Sequence, residues 1–246
     1  MSVPERRTAV VTGGGKGIGL ACARALSAGG FEVVVVGRDE RALVASGFVH
    51  RACDVTDEAA VRQLFASLDH VDVVVNNAGT SVSAAVHRTS LEDWNSVFAS
   101  NATSSFLCTR AAIGQMRERN WGRIVNVAST ASHVGTPYIA AYAAAKHAVL
   151  GLTRVVASEL AGTGVTANAV CPTFVRTEMT DRTIANIAAR TNRTAADAER
   201  TLASASALGR LLEPEEVAAA VAFLCTEDAR AINGQSLVLD GGTIQS

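Results

Sequence analysis

A doubly wound α/β fold, with a central parallel sheet of about seven strands flanked by helices, is what this sequence predicts. Short β-branched runs alternate with longer helical patterns, and the runs are apolar throughout, as in EVVVV at 32–36 and VDVVV at 71–75. Strands buried on both faces suit a parallel sheet sandwiched by helices. Strict β–α alternation through right-handed crossovers winds such a sheet in both directions. The 246 residues contain no repeat, low-complexity tract or linker, so one domain spanning 1–246 is favoured.

In chain order, strands are expected at 8–12 (TAVVT), 32–36, 48–52 (FVHRA), 71–75, 123–128 (RIVNVA), 165–170 (VTANAV) and 235–239 (QSLVL). The run at 48–52 is the weakest, because a histidine and an arginine interrupt it. Helical patterns fill the intervals at 17–28, 57–68, 92–118, 138–160, 179–206 and 214–225. About a dozen residues separate the second strand from the third. Any helix between them must therefore be very short.

The totals exclude several functions. Hydrophobic residues make up 48% of the chain, enough for a sizeable core, and the formal charge is −1. There is no basic surplus for nucleic acid or for an anionic membrane. The start, MSVPERRTAVVTGG, lacks the apolar stretch of a signal peptide, and no apolar run nears the ~20 residues of a membrane helix. Five scattered cysteines without Cys-x-x-Cys spacing suggest reduced thiols packed as small hydrophobes, not a metal site or disulfide framework. A cytoplasmic protein is the expectation.

Two stretches carry chemistry. In VVTGGGKGIGLACARAL, glycines sit between the first strand and the first helix. There the backbone can approach a pyrophosphate that rests on unpaired helix N–H groups. In AAYAAAKHAV, Tyr142 and Lys146 stand four apart, on one helical face. A free tyrosine titrates near 10, and an adjacent ammonium lowers that value toward the range useful for proton transfer.

The glycine spacing, Gly13, Gly17 and Gly19 in T-G-x-x-x-G-x-G, resembles the nucleotide loop of short-chain dehydrogenases/reductases. Further motifs follow in family order: Asp54-Val55 ending the third strand, NNAG at 76–79, Ser129 ending the fifth strand, Y-A-A-A-K, and DGG at 240–242. The resemblance covers essentially the whole chain and implies a Rossmann fold using a nicotinamide cofactor. It implies that Tyr142 passes the proton to and from the substrate oxygen, and that Ser129 polarises that oxygen. Lys146 is implied to hold the nicotinamide ribose and tune Tyr142, and Asn101 to complete a proton relay through a water. Cofactor contacts are implied for Gly13, Lys16, Gly17, Ile18, Gly19, Arg38, Asp54, Val55, Asn76, Ala78, Gly79 and Thr177, besides Tyr142 and Lys146.

Where NAD-dependent relatives place an acidic residue after the second strand, this sequence has Gly37 and Arg38. With Lys16 in the loop, charge complementarity favours the 2′-phosphate of NADP(H). NAD(H) is the alternative, since Asp39 follows directly. Thr173 replaces the glycine that the family usually has after the proline at 172.

The substrate pocket is expected from segments near 80–90, 130–138 and 177–210, the last a helical lid, with His133, Val134 and Tyr138 near the catalytic serine. NAVCPTFVRTEM and YAAAKHAVLGLTR most resemble β-ketoacyl, acetoacetyl-CoA and polyketide ketoreductases. The implied substrate is a β-ketoacyl thioester, with a small or aryl ketone or secondary alcohol as the alternative. Arg182, Arg190, Arg193 and Arg200 either meet coenzyme A phosphates or form a solvated face with Asp181, Asp197 and Glu199. Thr163 stands where carrier-protein reductases often have a basic residue. A non-catalytic dinucleotide-binding regulator is the reading from a different class, though such proteins typically lose the tyrosine or lysine. An epimerase or dehydratase would want a longer C-terminal region. The resemblance also implies a homotetramer pairing helices 92–118 and 138–160 across a twofold axis, with Ala144, Ala148 and Gly151 allowing close approach.

Overall fold

The computed structural model describes residues 6–191 and 193–245. Seven strands form one parallel sheet: β1 (Thr8–Thr12), β2 (Glu32–Gly37), β3 (Val49–Ala52), β4 (Val73–Asn76), β5 (Gly122–Val127), β6 (Val165–Pro172) and β7 (Ser236–Leu239). Their spatial order is β3-β2-β1-β4-β5-β6-β7. The winding reverses between β1 and β4, which opens a crevice at the carboxyl ends of those strands, the usual ligand position in such sheets.

Side-chain alternation along the strands feeds two core layers. Ala9 and Val11 of β1 share one layer with Ala21, Cys22 and Leu26 of α1 (Gly17–Ala28) and Val217, Val221 and Leu224 of α9 (Pro214–Leu224). Val10 enters the other, with Val61, Leu64 and Phe65 of α3 (Glu58–Ala66) and Leu107, Ala112 and Met116 of α5 (Ser104–Glu118). Val156 and Leu160, from α6 (Ala140–Glu159) and its C-cap, complete that layer. Each buried valine or leucine contributes about 1.5–3 kcal/mol. The connection from β2 to β3 is the six-residue α2 (Glu40–Ala45), opened by Asp39, whose side chain accepts from the Ala42 amide. All five cysteines are free and buried.

Three expectations need correction. The fourth strand starts at Val73, two residues later than 71; Asp72 before it is buried, accepts from the Thr8 amide at 2.8 Å and pairs with His70 and Arg119. The helix expected at 92–118 is α4 (Leu91–Phe98), a π-helical turn (Ala99–Thr103) and α5. The helix expected at 179–206 is two helices, α7 (Glu178–Thr191) and α8 (Ala195–Ala203). Thr194 starts the second, forming a reciprocal capping box with Asp197.

Candidate active site

The residues expected to be catalytic or to bind the cofactor lie at the carboxyl ends of the strands, in the segments that follow them, or on α1, α6 and the π-helical turn. Gly13 has φ +64° and Gly17 φ +53°, values that favour glycine. A Cβ on Gly19 would overlap the Gly13 carbonyl, and one on Gly13 would come within 2.8 Å of Asn77 Nδ2. The loop is therefore a cradle that side chains would fill. The first turn of α1 contains no acidic residue, and its N-cap, Lys16, supplies no side-chain cap. Its N–H groups and the positive end of the helix dipole suit a nucleotide phosphate. The cradle fits the diphosphate of a nicotinamide dinucleotide. Gly19→Ala should weaken nucleotide binding about tenfold or more, because overpacking against backbone cannot relax; a fluorescence titration reads it.

The loop is held from below by residues that the sequence reading passed over. Thr12 Oγ1 accepts from the amides of Asn77 and Ala78, each at 3.0 Å, and Asn77 Nδ2 donates to the Thr12 and Gly13 carbonyls. Asn77 lies within NNAG and Thr12 opens the glycine motif, so the signal was their place in the motifs, not their chemistry. Asn76, by contrast, turns away from the crevice and donates to Thr109 Oγ1 and Asn126 Oδ1. Ile18 and Ala78 pack against the two core layers, and Val55 is buried in one of them. These four offer a ligand their backbone, not their side-chain polarity.

At the ends of β2 and β3, Arg38 and Asp54 face each other at 3.6 Å. Hydrogen bonds from Thr56, followed by the Arg38 charge, hold the Asp54 carboxyl below its usual range. Lys16 Nζ donates to Glu178 Oε2 at 2.7 Å and lies 4.0 Å from Asp39. Thr177 faces Gly17, 3.3 Å from where a Cβ would stand. Both candidate phosphate-binding cations thus have carboxylate partners.

Around Tyr142, Ser129 caps a short 3-10 turn (Thr130–Ser132) by accepting from the Ala131 amide. Tyr142 is partly buried on the first turn of α6, and Lys146, one turn on, is only 5% exposed. Lys146 Nζ donates to the Val127 carbonyl at 2.7 Å and sits 5.6 Å from the centre of the Tyr142 ring. The expected lowering of the phenol is absent here. Burial pushes Tyr142 up, with the Ser129 hydroxyl opposing it, and burial draws Lys146 down to about 8. In low dielectric each group resists its own charged form.

Asn101 occupies the π-helical turn, which packs on α6. Its Nδ2 donates to the carbonyls of Thr80 and Val97, both at 2.8 Å, and its Oδ1 is buried with no partner. Gly79 admits it, since a Cβ there would collide with that oxygen. No hydrogen bond joins Asn101 directly to Lys146.

The three expected pocket segments do converge. Ala84 bridges to Ile139 in parallel pairing, and its amide donates to the Tyr138 carbonyl at 2.8 Å. Tyr138 holds φ +70° while 63% exposed, and Val134 is also exposed. His133 Nε2 is buried without a partner, and burial lowers its pKa. Arg190 of α7 donates to the Ser83 carbonyl at 3.4 Å. Arg182 pairs with Glu178 and Arg200 with Asp197, whereas Arg193 donates to Thr201 Oγ1.

A cradle suited to a dinucleotide diphosphate, with a phenol, a hydroxyl and a buried amine gathered around the start of α6, is consistent with an oxidoreductase, the class to which comparison with known proteins assigns the chain. The family model described as enoyl-(acyl carrier protein) reductase matches residues 13–243. The chain is 38% identical to an acetoacetyl-CoA reductase of Rhizobium meliloti, covering 96% of this chain and 98% of that one. It is 34% identical to a D-beta-hydroxybutyrate dehydrogenase of the same organism, covering 96% and 98%. Among solved structures it resembles a single-substitution variant of actinorhodin polyketide ketoreductase with NADPH, with TM-score 0.92, 36% identity and 98% of each chain covered. The chain belongs to the short-chain dehydrogenase/reductase family, oxidoreductases that interconvert carbonyls and secondary alcohols with nicotinamide cofactors. No helix among the described residues is long and apolar enough to cross a membrane.

Proposed function

We propose that the protein is an NADP(H)-preferring reductase of β-ketoacyl thioesters, of the 3-oxoacyl-CoA type. The observation that carries the catalytic part is Ser129, after β5, with Tyr142 and Lys146 on α6, the Lys146 ammonium 5.6 Å from the centre of the Tyr142 ring. Bound NADPH supplies a hydride. Ser129 holds the substrate oxygen by a hydrogen bond, and Tyr142 gives that oxygen its proton. Lys146, when protonated, stabilises the phenolate left behind. Asn101 positions the segment after β4 through its bond to the Thr80 carbonyl. The Gly13–Gly19 loop would hold the diphosphate, and Thr177 the nicotinamide end.

Support for the thioester comes from the acetoacetyl-CoA reductase likeness and from Arg190 and Arg193, which make no carboxylate pair among the described residues. The pairing of Arg182 and Arg200 supports the solvated-face reading for those two. The segment 177–210 acts as a lid whose apolar face, Ile184, Ile187 and Ala188, shields the reaction; Ile184 is buried in a small cluster with Leu202, and Ile187 packs against it. A homotetramer is supported by Gly151 and Val155, exposed one turn apart on α6, and by exposed Phe106 on α5. Five buried free thiols support a cytoplasmic location.

The test is the initial rate of NADPH oxidation with acetoacetyl-CoA, with NADH and an aryl ketone run in parallel. Turnover of the thioester with NADPH at least about tenfold above NADH is expected. Turnover of the ketone alone would reassign the substrate, and faster reaction with NADH would overturn the cofactor preference.

A further inference from the structure

Lys16, within the glycine loop, is the N-cap of α1, and its ammonium lies between two carboxylates from different parts of the fold. Asp39, 4.0 Å away, follows Arg38 at the end of β2. Glu178, 2.7 Å away, is the first residue of α7. The Glu178 Oε2 atom that takes the Lys16 hydrogen bond also faces Arg182 Nη2 at 3.3 Å. The Lys16 side chain is 49% exposed and that of Glu178 58%, so both can rearrange. The Asp39 contact puts Lys16 beside the end of β2, where the adenosine ribose of a nucleotide seated in the cradle would lie.

We propose that Glu178 is a specificity-determining residue for the cofactor: its carboxylate competes with a ribose 2′-phosphate for Lys16 and ties the nucleotide loop to the start of α7. The inference rests on the NADP(H) reading above. A carboxylate already on the lysine reduces what the phosphate gains there, so the preference is smaller than Lys16 and Arg38 alone would give. Arg182 donates to the same Glu178 oxygen and keeps a cation for the carboxylate once Lys16 leaves it. A ligand that engages Lys16 therefore frees the first turn of α7 from the loop, and a ligand without the 2′-phosphate leaves the tie in place.

The experiment is calorimetric titration of the apo-protein with 2′,5′-ADP and with 5′-AMP, for wild type, Glu178→Gln, Lys16→Met and the double variant. Glu178→Gln should tighten 2′,5′-ADP about two- to fivefold, the scale of an exposed ion pair, and leave 5′-AMP unchanged. In the Lys16→Met background the same substitution should do nothing, because the competition has lost its object. Equal tightening of both ligands, or a gain that persists without Lys16, would overturn the proposal. A wild-type preference for 2′,5′-ADP that Glu178→Gln leaves unaltered overturns this inference alone. No preference in wild type or in Glu178→Gln overturns the NADP(H) reading together with it.

Discussion

Tyr142→Phe should lower kcat/KM for carbonyl reduction by about a thousandfold, within the range a positioned general acid supplies. The cofactor dissociation constant should change less than about twofold, since Gly13, Gly17 and Gly19 are untouched. The hydroxyl that is lost is the one through which Ser129 acts on the phenol, and the ring stays partly buried on the first turn of α6. Steady-state rates beside a fluorescence titration of NADPH separate the two quantities. A loss smaller than about tenfold would move the proton donor to another group, with Ser129 first to be examined.

Lys146→Met should cost about a hundredfold or more in kcat/KM while raising stability below pH 8. The side chain is 5% exposed, and its polar hydrogen bond goes to the Val127 carbonyl. Its pKa is drawn from 10.5 down to about 8, so folding below pH 8 buries an ammonium that water would hold better. Methionine of similar length removes that cost, of order 3 kcal/mol. Between about 8 and 10 the native protein has released this proton and the unfolded chain retains it. Wild-type stability therefore gains with pH through Lys146 in that window. The buried cysteines act oppositely in both proteins: Cys22 and Cys108 are pushed up to about 12, so the unfolded chain ionises first. The difference between the two proteins isolates Lys146, and the advantage of methionine should shrink as pH rises from 8 to 10. Urea unfolding at both ends of that window measures it. The same proton should make wild-type kcat/KM for reduction fall above about pH 8, because a neutral amine no longer stabilises the phenolate. A profile level to pH 9.5 would count against a catalytic ammonium.

What was legible in the sequence was whatever local pattern determines. The valine runs place β1, β2 and β4 to within two residues, and the dozen residues between β2 and β3 foretell the short α2. The crevice was legible because glycines, NNAG and Ser129 follow successive strands and so share one sheet edge. Pairings between distant residues were not legible. Arg38 and Lys16 read as free cations, yet Asp54 and Glu178 meet them only once the loops close. The sign of the Tyr142 shift was missed for a related reason: spacing reveals the neighbour, while burial depends on everything packed around the pair. The break at Thr194 was locally encoded by Thr194 and Asp197, but the apolar pattern on either side concealed it.

The π-helical turn at Ala99–Thr103 makes chain length a functional variable at this point. Such a turn stores one residue more than the α-helical path requires. Deleting Ala102 would let 91–118 run as the uninterrupted helix that its apolar pattern suggests. The helix would be more regular, and the residues of the turn, Asn101 among them, would move around its axis by up to about 100° while α4 and α5 keep their places. Asn101 would then leave the Thr80 carbonyl and the niche opened by Gly79. Such a variant should keep its helical circular dichroism and lose reductase activity. The stretch therefore behaves as a spacer: side-chain changes on its outer face are absorbed, and a single insertion or deletion is not.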